Sequence, residues 1–79
     1  MGYEISVVAE LRKSPNAHEI EVLDRQFEAL EHAPGSKIVT IAEHVSMNDE
    51  AAAIEFVRAL VIEALPDRST ITSVTATPD

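Results

Sequence analysis

Runs with β-strand patterning alternate with runs of helical periodicity along this chain, and residues that start or stop such elements mark most of the breaks. Tyr3 to Leu11 has period two: Tyr3, Ile5, Val7, Ala9 and Leu11 fall on one side and Glu4, Ser6, Val8 and Glu10 on the other. This is the pattern of a strand with one dry face and one mostly wet face. Ser14-Pro15-Asn16 then opens a helix, with Ser14 or Asn16 as its cap and Glu19 placed to close a capping box with Asn16. Ile20, Leu23, Phe27 and Leu30 form its apolar stripe, and Glu21, Asp24, Glu28 and Glu31 gather on the opposite, solvent side. Pro34-Gly35 is read as the helix stop, because proline lacks the N–H a helix needs and glycine takes the left-handed turn freely.

Lys37 to Val45 reads as a second strand, apolar or small on both faces through Ile38-Val39-Thr40-Ile41-Ala42 and therefore central. Ser46 with Asp49 or Glu50 caps a second helix. Its apolar residues Ala53, Ile54, Phe56, Val57, Leu60, Val61, Ala64 and Leu65 cover about half the circumference at roughly 100° per residue. Ile62 is the exception, an apolar residue on the polar side beside Glu55 and Arg58. Leu65-Pro66-Asp67 ends the helix, and Thr70 to Thr77, rich in β-branched residues, forms a third and weaker strand.

The expected order is therefore β-α-β-α-β in a single small α/β domain spanning residues 1–79. One helix per connection implies right-handed crossovers between parallel strands. The expected architecture is a two-layer, three-stranded, mainly parallel sheet of order 1-2-3 with both helices packed on one face. A first strand carrying Glu4, Ser6 and Glu10 does not suit the dry centre of a doubly wound sheet. The order is also compatible with a truncated ferredoxin-like domain or a half-sized doubly wound one, an analogy of fold that carries no function.

The chain has 79 residues, no cysteine and a formal charge of −8. Disulfides and thiolate metal sites are excluded, and a core this small is thin unless something supports it. No apolar run is long enough to span a bilayer and no leader pattern opens the chain, so the expected setting is cytoplasmic and away from membranes. The acidic balance repels phosphate backbones, so nucleic acid is not expected as a direct partner. His18, His32 and His44 do not recur at three- or four-residue spacing, so no metal site and no cofactor is expected. No glycine-flanked nucleophile or Ser-His-Asp pattern is present, and the reading leans away from an enzyme.

Two kinds of site remain. In a parallel sheet, ligands collect beyond the carboxyl ends of the strands. Arg12 and Lys13, the one adjacent basic pair, would meet His44 and Ser46 there in a small anion site, the alternative expectation being a small-molecule binder or minor enzyme that uses it. The leading expectation is instead a small acidic module that binds another protein as an adaptor or inhibitor. Its surface would be the uncovered sheet face (Glu4, Val8, Glu10, Ile38, Thr40, His44) or the acidic helix stripe (Glu21, Asp24, Glu28, Glu31). A homodimer is expected as well, burying Val8 and Ile38 or the broad apolar arc of the second helix.

Overall fold

The computed structural model describes residues 2–78. They form β1 (Tyr3–Glu10), α1 (Ala17–Gln26), β2 (Ala29–His32), β3 (Ile38–Val45), α2 (Glu50–Ala64) and β4 (Thr70–Pro78). The strands make one sheet of order β2-β3-β1-β4 in which every adjacent pair is antiparallel. The expected three-stranded, mainly parallel sheet of order 1-2-3 is thus corrected to four strands, all antiparallel.

The correction originates in residues 27–36. The first helix ends at Gln26, where Phe27 turns extended (φ −125, ψ 159), and the chain continues as the four-residue strand β2. Pro34-Gly35 ends no helix. It occupies the centre of a tight turn in which the Ser36 N–H donates to the Ala33 carbonyl at 3.0 Å and Gly35 has φ +82. Proline second and a positive-φ glycine third are the requirements of a type II turn. The turn folds β2 back on β3, pairing Leu30 with Ile41 and His32 with Val39. Each helical crossover still joins parallel strands, β1 to β2 and β3 to β4, but another strand lies between the members of each pair. This is the split β-α-β arrangement of ferredoxin-like topology, complete rather than truncated.

The face of the sheet toward the helices carries the core, with partly buried Glu43 also among its positions. Ile5, Val7 and Ala9 of β1 and Val39 and Ile41 of β3 are fully buried, as are Ala53, Val57 and Val61, which recur every four residues along α2. Leu23 and Phe27 close the core from the α1 side. The period-two pattern of β1 and the four-residue spacing of α2 are therefore two faces of one apolar layer.

Local chemistry sets the helix starts. Asn16 Oδ1 accepts from Glu19 N at 2.8 Å while Glu19 Oε1 accepts from Asn16 N at 3.1 Å, the reciprocal capping box. Asp49 caps α2 by accepting from Ala51 N at 3.0 Å, so Ser46 and Glu50 do not fill that role. In β4 the register slips at Thr72, between Ile71 opposite Ala9 and Ser73 opposite Val8. The Thr72 hydroxyl donates to the Val8 carbonyl at 3.0 Å, tying the bulge to β1.

Candidate partner-binding face

The face away from the helices is built from four cross-strand rows. Register places Glu31, Thr40, Val8 and Ser73 in one row and Ala29, Ala42, Ser6 and Thr75 in the next. Toward one end lie Ile38, Glu10 and Thr70, and toward the other His44, Glu4 and Thr77. The row Ala29-Ala42-Ser6-Thr75 has no bulky side chain, so it forms a shallow lane across the sheet. Val8 and Thr40 beside it are half-buried, and Ile38 is 47% exposed.

Charge on this face has one sign. Glu4, Glu10 and Glu31 sit at its ends and edge, and none of the six Lys and Arg residues of the chain has a strand position on it. A parallel sheet left open in this way would be unusual, whereas antiparallel sheets commonly turn one face to water. The fold therefore does not need the face covered. The face also lacks the aromatic side chains on which sheet proteins stack RNA bases.

The acidic helix stripe divides. Glu21 and Asp24 are exposed on α1, and Glu21 pairs with Arg25 one turn on. Glu28 lies beyond the helix, where its Oε2 accepts from the His44 backbone N–H at 3.2 Å. Glu31 is on β2 and belongs to the open face. The expected stripe of four is corrected to two helical carboxylates, because α1 stops at Gln26.

The anion quartet divides too. Arg12 and Lys13 follow the end of β1, whereas His44 and Ser46 lie at the end of β3, which pairs with the start of β1 through Glu4 and His44. Six steps of strand separate Glu4 from Glu10, about 20 Å at ~3.4 Å per residue, and Arg12 lies two residues farther on. Antiparallel pairing puts the carboxyl ends of neighbouring strands at opposite ends of the sheet, so the four residues share no site. Arg12 and Lys13 instead line a concavity of about 470 Å³ with Leu11, Glu19, Pro66 and Asp67. It adjoins an apolar groove of about 250 Å³ between α1 and the end of α2, lined by Leu11, His18, Val22, Leu23, Ala64 and Leu65.

Among the described residues no group of three or more His, Asp or Glu side chains is placed to hold a metal ion. No helix there is long and apolar enough to cross a membrane. Sequence reasoning missed Ala29 and the route by which Glu31 reaches the face, since both depend on β2. The Pro34-Gly35 pair, flanked by Leu30 and His32 at period two, was the available signal. Compared with protein families, curated proteins and solved structures, the chain shows no significant match to any.

Proposed function

We propose that this chain is a small protein-binding module, an adaptor or inhibitor, that presents its open sheet face to a flat partner surface with basic groups at its margin. The observation that carries this reading is the division of the face. A lane of small and hydroxylated side chains crosses it, Val8 and Ile38 supply apolar contact, and Glu4, Glu10 and Glu31 surround them without a cation. A small-residue lane admits close approach, and the carboxylates steer and orient a basic partner.

The test compares capture from lysate by wild type and by a Glu10→Lys/Glu31→Lys variant, at low and moderate salt. Both positions are solvent-accessible edges of the sheet, so the melting temperature should hold. Specific partners that weaken with salt and vanish with the charge reversal support the reading. An identical set of captured proteins for both forms, or none for either, overturns it.

A second reading rests on the two adjoining concavities. Arg12 and Lys13 are offset by Glu19 and Asp67, so bare phosphate meets little net field there. A small carboxylate with an apolar body suits the pair better, its acid near the two cations and its body along Val22, Leu23 and Ala64. Such a ligand would raise the melting temperature by linkage, and Arg12→Ala would remove the rise. A panel of aliphatic and aromatic carboxylates that leaves the melting temperature unchanged disposes of it.

A further inference from the structure

We propose that two copies of this chain pair through the outer edge of β4, antiparallel about a two-fold axis at Thr75, joining four strands from each copy into one continuous sheet. The two sheet edges differ in how they are guarded. β2 has four residues, with Glu31 within it and Glu28 just before it. Short length and charge are the usual protections of an edge against pairing with another chain. β4 has nine residues, Thr70 to Pro78, none of them charged in a chain of net charge −8, and six of the nine are β-branched. Its outer backbone N–H and C=O groups face away from β1. Beyond the Thr72 bulge the ladder is regular from Ser73 to Thr77, which leaves a straight five-residue template.

This segment is complementary to itself. With Thr75 opposite its own copy, Val74 faces Ala76 and Ser73 faces Thr77, so no like charges meet across the new ladder. The rival arrangement, open face against open face, would bring Glu4, Glu10 and Glu31 of both copies, six carboxylates, into one interface.

The flank above the edge gives an independent reason. Ile62 is 57% exposed, the most exposed large apolar side chain among the described residues, and it shares a cleft of about 180 Å³ with Leu65, Asp67, Arg68 and Ile71 at the start of β4. Ile71, Val74 and Ala76 all face the helix layer yet are only partly buried, because no strand lies beyond them. A partner strand with its own Ala76 and Val74 facing Val74 and Ala76 covers that part of the flank, whereas Ile71 and the cleft beside Ile62 lie beyond the paired residues 73–77. The pairing leaves the open face uncovered, and it stands whether or not that face binds a partner.

The test is molecular mass by light scattering and sedimentation, from about 1 µM to about 500 µM, a range that resolves association by mass action. Wild type should reach twice the chain mass of 8.6 kDa. Thr75→Lys and Thr75→Glu each place like charges across the axis, so each should dissociate the pair about two- to fivefold more readily. An equimolar mixture of the two should restore the two-chain mass. Should either variant lose its folded circular dichroism, amide exchange in wild type decides: outward N–H groups between residues 73 and 77 slow with rising concentration if the edge is paired. Wild type that keeps a one-chain mass throughout overturns the proposal. So does a dimer indifferent to both Thr75 variants, a mixture that fails to re-associate, or exchange at 73–77 that ignores concentration.

Discussion

Replacing Gly35 by L-alanine isolates the torsional cost of the β2–β3 turn, because a methyl group at this position meets no atom within 4 Å. Gly35 has φ +82, a conformation that costs an L-residue about 1–2 kcal/mol. Alanine also narrows the unfolded ensemble, returning about 0.4–1 kcal/mol. The balance is a loss of about 1 kcal/mol, and in a domain of this size that lowers the melting temperature by about 4–8 °C. D-alanine reverses the sign: positive φ suits it, the narrowing of the unfolded state remains, and the melting temperature should rise by a few degrees. Calorimetry on three semisynthetic chains with Gly, L-Ala or D-Ala at position 35 measures both effects against one background. Equal melting temperatures for the two alanine enantiomers would refute the reasoning, since nothing but handedness separates them at an exposed turn.

Val57→Ala removes two carbons from a fully buried site between α2 and the sheet, so it should cost about 2–3 kcal/mol in urea unfolding. Val22→Ala, at 39% exposure, should cost less than about 1 kcal/mol in the same assay. Arg68 has φ +68 in the α2–β4 turn, and Arg68→Gly should raise stability by up to about 1 kcal/mol, because relief of the left-handed strain outweighs the added freedom of the unfolded chain. Gly2→Ala should destabilise for a steric reason instead. Its methyl carbon would overlap the Val45 carbonyl oxygen, so backbone has to move, and thermal melting should register the loss.

Most local structure was legible because local chemistry decides it. The alternation of β1 and the Asn16–Glu19 capping box survive in the fold, and the broad apolar arc of α2 narrows to a buried line through Ala53, Val57 and Val61 that leaves Phe56 and Leu60 exposed. The wet residues of β1 and β3 were also legible, since period two assigns faces whatever the strand order. β2 was not. Leu23, Phe27 and Leu30 continue the stripe of α1 at helical spacing, and Glu28-Ala29-Leu30-Glu31 favours a helix by propensity. What overrides that preference is tertiary: Leu30 gains a place opposite Ile41, and Pro34-Gly35 fits a hairpin turn as well as a helix end. Four residues then reset the whole topology. An inserted hairpin reverses β3, which separates Arg12 from His44 and carries Glu31 from the helix to the open face.

The antiparallel sheet is the premise on which the acidic open face rests, and cross-strand proton contacts measured by NMR test it most directly. Antiparallel pairing of β1 with β3 requires Hα–Hα contacts between alternate facing residues, with the Glu4 end beside His44 and the Glu10 end beside Ile38. It also requires extended-chain contacts across residues 29–32 and cross-strand contacts from Leu30 to Ile41. Helical connectivities running unbroken from Ala17 through His32, or Glu4 found beside Ile38 instead of His44, would contradict the fold and the face built on it.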